Sequence, residues 1–266
     1  MLSVSNTMIS KSIENNVKLI DAYNYWFDVV PVDTIKLLEE AYRLRYQVYC
    51  KENNFETPDA FPDDCETDEF DTRSVHSLLF DRLSRSFVGT VRIILPQRYT
   101  PGRSFPIQNI CSHPLLADRK LGCTQAAAEI SRFAISKEYR RKAEDYRITG
   151  ASSSYLHERL PVSKELIMPC ITLGLIKAIM QMSVEHGITE LFAVMEPALL
   201  RLLSRFSIYF RPIGPLVDYH GMRQPCYSNI ETLMDRVRKE RIDVWEVITD
   251  EGRLLKRQER AVHFCT

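Results

Sequence analysis

Two short apolar strands joined by one long apolar helix constrain this chain more than any other feature. Ile130, Phe133, Ala134 and Ile135 mark the first strand, Glu129–Ser136, and Leu191–Met195 forms the second. Between them Ser163–Gly187 reads as a helix. Its buried side carries Leu166, Ile167, Cys170, Ile171, Gly174, Leu175, Ala178, Ile179 and Met182, and Gly187 is its stop. A strand, a crossover helix and a strand in this order make two parallel strands of one sheet. Ligands of such sheets sit at the carboxyl ends of the parallel strands. The first strand also holds Glu129 and Arg132, charges that are expensive to bury unless they pair or serve chemistry. Taken alone, they read as an ion pair at a strand end.

The rest of the chain supplies more strands and a long acidic loop. Residues 1–22 read as a polar extension and 23–266 as a single domain. Tyr23–Pro31 is expected to be a short strand, after which Asp33 or Thr34 caps a helix. Leu37, Leu38, Ala41, Leu44, Val48 and Tyr49 share one face of that helix, with Arg45 among them. Asn53–Asp71 is a loop with eight Asp or Glu residues from Glu56 onward, long enough to suggest a function. Val75–Phe80 and Phe87–Leu95 form a hairpin whose second strand carries Arg92. A loop runs from Pro96 to about Gln125, and Lys137–Pro161 is a basic, polar surface insertion. Downstream come a helix from Pro197 to about Phe206, strands over Tyr209–Tyr219 and Pro225–Ile230, a helix over Ile230–Arg241 and a polar tail. The sum is an α/β fold with a mixed central sheet flanked by helices.

Charge and cysteine usage narrow the function. Lys plus Arg equals Asp plus Glu at 35 each, so overall charge selects neither nucleic acid nor an anionic membrane as a partner. Seven scattered cysteines without a Cys-x-x-Cys pair speak for a reducing, cytoplasmic setting and against a disulfide framework or a zinc site. The six histidines show no metal-ligand spacing. Cys50 and Cys111 lack a nearby histidine, which argues against a cysteine acyl-enzyme. The apolar window Leu166–Met182 is interrupted by Pro169 and Lys177, and no integral membrane span is expected.

Four blocks in register carry a resemblance. Arg45-Tyr46-Gln47-Val48-Tyr49, Asp68-Glu69-Phe70-Asp71, Gly89-Thr90-Val91-Arg92 and Glu129-Ile130-Ser131-Arg132-Phe133 resemble the acyl-homoserine lactone (autoinducer) synthases of the GNAT superfamily. With Arg45–Cys50, Gly214-Pro215 to His220-Gly221 and Trp245–Gly252, the chain looks more like the N-acyl amino acid synthases and exosortase-associated (PEP-CTERM) acyltransferases. Phe55 stands where the lactone synthases carry a tryptophan that shapes the S-adenosylmethionine pocket.

The resemblance implies a GNAT-like fold with a splayed parallel strand pair at its centre. It implies an N-acyltransferase that moves a long-chain fatty acyl group from an acyl carrier protein thioester to the amine of an amino acid. Glu129 would take the amine proton with Arg132 beside it, and backbone N–H groups around Phe133 and Ala134 would hold the oxyanion. Arg45, Tyr49, Phe55, Asp68, Asp71 and Arg92 would order the acceptor side, with the acceptor carboxylate on Arg92 or Arg132. Acetyltransferases that use coenzyme A have a glycine-rich turn after this strand, whereas here Lys137–Ala143 holds no glycine. Arg140, Arg141, Lys142 and Arg147 would instead meet an acidic carrier protein. No cofactor is implied beyond the acyl-phosphopantetheine thioester, which is substrate. Phe206, Tyr209, Phe210, Tyr219 and Trp245 would line an acyl tunnel, and His220 is either a second polar group at the site or an ordinary turn histidine. Two alternatives stand beside this reading. One is a lactone synthase using S-adenosylmethionine, and the other is a non-catalytic acyl-ligand or partner-binding module.

Overall fold

A single mixed sheet organises the chain, seen here in a computed structural model that describes residues 17–97, 104–117, 126–141, 166–219 and 221–255. The elements are α1 (Leu19–Trp26), β1 (Phe27–Pro31), α2 (Ile35–Tyr46), β2 (Ser74–Asp81), β3 (Ser86–Ile94) and β4 (Ala127–Ile135). They continue as α3 (Ile167–Glu185), β5 (Glu190–Met195), α4 (Pro197–Ser204), β6 (Arg211–Pro212), β7 (Val217–Asp218), β8 (Met222–Asn229), α5 (Ile230–Glu240) and α6 (Ile242–Thr249). Strand order is β1-β2-β3-β4-β5-β8-β6, with β7 paired to β8. All pairs are antiparallel except β4–β5, the crossover pair joined by α3.

Packing explains why α3 sits where it does. Fourteen of its residues are buried, among them Ile171, Leu173, Leu175 and Ile179, and each large apolar side chain removed from water contributes roughly 1.5–3 kcal/mol. At Gly174 a Cβ would meet Leu79 Cδ1 of β2 at 2.6 Å, so glycine is what lets the helix lie this close to the sheet. By length and composition α3 is apolar enough to cross a bilayer, contrary to the sequence reading, but most of it is buried against the sheet, α1 and α6. The other face of the sheet is covered by α2, through Ala41 and Leu44, by Val48 just beyond it, and by the turn around Phe105 and Ile107. Thr34, not Asp33, caps α2 by accepting the Leu37 N–H at 3.3 Å.

Three expectations need correction. Tyr23–Trp26 is helical, because Ile20, Ala22, Tyr23 and Trp26 present one buried helix face, and the strand begins only at Phe27. Residues 19–22, read as part of a polar extension, therefore belong to the packed fold. Tyr209–Tyr219 is not one strand but two two-residue bridges, β6 and β7, on either side of a loop at Ile213–Leu216. The tail contains α6, whose Val244, Val247 and Ile248 are fully buried, where only a polar stretch was expected.

The β4–β5 ladder is short. Its rungs run from Ala127↔Glu190 to Ile130↔Ala193, and β4 continues to Ile135 without a partner on β5. On its other side β4 breaks register with β3 between Thr90 and Arg92, where Arg132 takes a left-handed φ of 51°. A bulge of this kind re-aims side chains and ends regular pairing. The central parallel pair thus opens at the carboxyl end of β4.

Candidate active site

The site is built on α2, β3 and β4 and closed by the acidic loop. Arg45 comes off the buried face of α2 and is fully buried. Its Nε donates to Glu66 Oε2 at 2.5 Å, and its Nη1 and Nη2 donate to Asp71 at 2.7 and 3.1 Å. Arg92 donates to Asp68 at 2.6 and 2.8 Å, to Asp71 at 2.7 Å and to Ser131 Oγ at 2.8 Å. Arg132 donates to Glu66 at 2.7 Å and lies 3.1 Å from Asp68 Oδ2. Three guanidiniums therefore face three carboxylates in one continuous network. Burial works to raise the Glu66 and Asp68 carboxyls, but Arg45 acting on the first and Arg92 on the second win, and both are held below the ordinary range. Asp71 is held far below it, mainly by the Arg45 hydrogen bonds outweighing burial.

Glu66 was not singled out by sequence reasoning, although it bridges Arg45 and Arg132 at 1% exposure. His76 was also missed. Its ring stands edge-on to Tyr42 at 5.8 Å, with Nε2 3.5 Å from Asp71, and burial followed by Arg45 lowers its pKa to about 4, so the ring is neutral.

Glu129 does not pair with Arg132. It is 3% exposed, and its Oε2 accepts the Ile107 N–H at 2.9 Å. Burial pushes its pKa from 4.5 up to about 7, against the pull of the Ile107 amide, Arg92 and Arg73. The opposing cations are thus Arg92 and Arg73, where the sequence reading named Arg132. Phe133 and Ala134 lie on the part of β4 beyond its last rung with β5, Phe133 half-buried and Ala134 buried opposite Thr90.

Beyond Tyr46 the α2 helix widens into a π-helical turn, Gln47–Glu52, a form common at functional sites. That turn aims two groups. Tyr49 lies with its ring 5.0 Å from the Arg132 guanidinium and 6.0 Å from the ring of Phe55, over which Arg223 stacks at 5.4 Å. Glu52 reaches the first turn of the helix that follows β4. Its carboxylate accepts the Lys137 N–H at 2.8 Å and the Glu138 N–H at 3.4 Å, while Lys137 Nζ donates to its carbonyl at 2.7 Å.

Of the four residues expected to meet a carrier protein, Arg140 and Arg141 are among the described residues. Arg140 turns back and donates to Ile135 O at 3.0 Å, because β4 ends with that carbonyl within its reach. Arg141 is exposed and lines a cleft of about 640 Å³ with Arg43, Lys51 and Lys137, none of which was singled out. Lys142, Arg147 and His220 lie outside the described residues. The proposed tunnel aromatics also separate. Phe206 is core, and Trp245 packs against that core with Arg238 over its ring. Tyr209 and Phe210 line a 500 Å³ cavity beside Tyr227, and only Tyr219 lies near the charges of Arg132 and Glu129.

Residues 44–148 match the family model described as an acetyltransferase (GNAT) domain. Among solved structures, the chain is similar to the acyl-homoserine lactone synthase LasI, at 19% identity and a TM-score of 0.50 over 76% of this chain and 87% of that one. It is similar to MesI, a CoA-dependent acyl-homoserine lactone synthase, at 18% identity and a TM-score of 0.50 over 80% and 94%. FeeM, an N-acyl amino acid synthase from uncultured soil microbes, superposes with a TM-score of 0.48 at 15% identity over 79% and 93%. At these identities the likeness is one of fold. No curated protein matches the chain.

Proposed function

We propose that the chain, whose residues 44–148 match the model of an acetyltransferase (GNAT) domain, is an N-acyltransferase that moves a fatty acyl group from acyl carrier protein to the amine of an amino acid. The observation that carries the reading is Glu129, a buried carboxyl whose pKa is about 7, set where the paired part of β4 ends. An amine is protonated near neutral pH and cannot attack until it loses that proton. A carboxylate with a pKa near the working pH is suited to take it. The nitrogen then bonds to the thioester carbonyl carbon, the C–S bond breaks, and the thiol leaves with a proton. The N–H groups of β4 past Ile130, free of a β5 partner, are the donors suited to the oxyanion.

The network itself supports an acidic acceptor. Arg45 and Arg92 spend all three of their nitrogens on internal partners at 0% and 1% side-chain exposure. Arg132 is 14% exposed, and among the described residues its Nη1 makes no hydrogen bond. Arg132 rather than Arg92 is therefore the guanidinium with capacity for the amino acid's carboxylate. Glu52 supports the donor. A nucleotide pyrophosphate seated after β4 would compete with a carboxylate those amides already hold, whereas a phosphopantetheine on a protein brings no pyrophosphate.

The test offers the purified protein long-chain acyl carrier protein or the matching coenzyme A thioester, with amino acids, their decarboxylated amines or S-adenosylmethionine. The expected products are N-acyl amino acids with thiol release, the amines being poorer by on the order of a hundredfold or more. A lactone with methylthioadenosine would replace this reading by the lactone synthase, and absence of turnover would favour a binding module. Equal use of coenzyme A thioesters would remove the donor half.

A further inference from the structure

Arg73 belongs to none of the charge pairs above, and its guanidinium is spent on backbone. Nη1 donates to Leu95 O at 2.5 Å and Nη2 to Ser104 O, and the Leu95 N–H returns to Arg73 O at 3.0 Å. Leu95 follows the end of β3, and Ser104 opens the turn that contains Ile107, so one side chain ties the two ends of the connection together. The turn is held from its other side as well, since the Phe105 N–H donates to Gln108 Oε1 and Gln108 Nε2 to Leu116 O. Its buried Phe105 and Ile107 pack with Ile94 and Phe192 in the apolar cluster on the face that carries Glu129. Among the described residues, the one hydrogen bond to Glu129 comes from this turn, through the Ile107 N–H.

From this geometry we infer that Arg73 is a positioning residue for the proton acceptor: it clasps the 104–109 turn so that the Ile107 N–H meets Glu129, and adds a fixed positive charge beside it. The inference rests on the reading of Glu129 as the base. Other groups bear on Glu129 too. Arg92 of β3 and Asp68 of the acidic loop act on its charge in opposite directions, and Cys226 of β8 and Tyr219 after β7 both feel that charge. Among the described residues, only Arg73 combines charge with placement of the hydrogen-bond donor. Loss of a cation and of an amide donor both disfavour a carboxylate, so the sign is fixed: without Arg73, Glu129 holds its proton to higher pH.

The experiment follows the Glu129 carboxyl directly, by carbon NMR titration with the signal assigned by its absence in Glu129→Gln. Arg73→Met should move this titration up by about one pH unit and shift the acid limb of kcat/KM with it, roughly a tenfold loss a unit below the limb. Arg73→Lys keeps the charge but cannot span both carbonyls, and should give a smaller upward shift. A folded Arg73→Met protein with an unmoved Glu129 titration overturns the inference whatever its activity. Should Arg73→Met not fold, an unmoved titration in Arg73→Lys overturns it equally. Full activity in Glu129→Gln would fell the base reading separately, and the carboxyl titration would still decide the clasp.

Discussion

At the scale of single residues, burial and charge compete over each carboxyl, and the outcome differs by position. Glu66 touches two guanidiniums and stays ionised, whereas Glu129, with one amide and more distant cations, is carried by burial to about 7. The kcat/KM of the proposed transfer should accordingly rise with pH along a limb near pH 7. Glu129→Gln should leave the fold intact and lower the rate roughly a hundredfold or more, measured by thiol release. Glu66→Gln tests the network instead. It removes the charge between Arg45 and Arg132 and should cost roughly 3–5 kcal/mol in denaturant unfolding, because the fully buried Arg45 and the partly buried Arg132 lose their shared counter-charge. A loss under about 1 kcal/mol would mean the network behaves like a solvated surface pair. The missed residues are of this kind. Eight acidic side chains in the 53–71 loop have no periodicity that says which turns inward, so Glu66 is indistinguishable from Asp63 until the loop is folded.

At the scale of elements, the π-helical turn and the first turn after β4 act as a pair. Glu52 ends one and holds the amides of the other, which fixes the angle at which the chain leaves the open end of β4. Glu52→Ala should lower stability by about 1–3 kcal/mol through lost charge-assisted bonds, and should narrow the preference for carrier thioester over coenzyme A thioester. An unchanged donor ratio in a folded Glu52→Ala protein would detach Glu52 from donor choice. Elements with strong periodicity were legible: α2, α3, the β2–β3 hairpin and β5 all lie within a few residues of where their patterns put them. Short ones were not. Tyr25-Trp26-Phe27 has the composition of a strand, and only the burial of Ile20, Ala22 and Tyr23 on one side shows that α1 runs to Trp26.

For the whole molecule, the titrations of the network carboxyls, of His76 and of Glu129 set the pH range of stability. Asp71, Glu66 and Asp68 are held below their ordinary range in the fold, so their contribution is present above about pH 4 and is lost as pH falls further. Glu129 is raised from 4.5 to about 7, so its contribution is complete below pH 4.5 and is lost as pH rises through 7. His76, lowered from 6.5 to about 4, loses its contribution as pH falls from 6.5 and so offsets Glu129, and stability should be level between about pH 4.5 and 6.5 and decline from there towards pH 8. Glu129→Gln should remove the alkaline decline, gaining up to about 3 kcal/mol at pH 8, while leaving the acid side unchanged. Parallel denaturant titrations at pH 5 and pH 8 read this directly. An equal effect of the substitution at both values would show that Glu129 is not buried with a raised pKa.

The sequence by itself determined the class of fold, the parallel pair β4–β5 with α3 as its crossover, and the charges Arg45, Asp68, Asp71, Arg92, Glu129 and Arg132. Each follows from local periodicity or from a motif that the chain spells out. Only the tertiary structure decided which charges meet. Side-chain pairing depends on strand register and on loop closure, neither of which local pattern encodes. The bulge at Arg132 turns that residue away from Glu129 and towards Glu66, and the Ser104–Asn109 turn, far from any motif, brings an amide to Glu129. It also decided that, among the described residues, Arg92 is fully spent and Arg132 is not, because burial and the count of free N–H groups exist only once the network has closed.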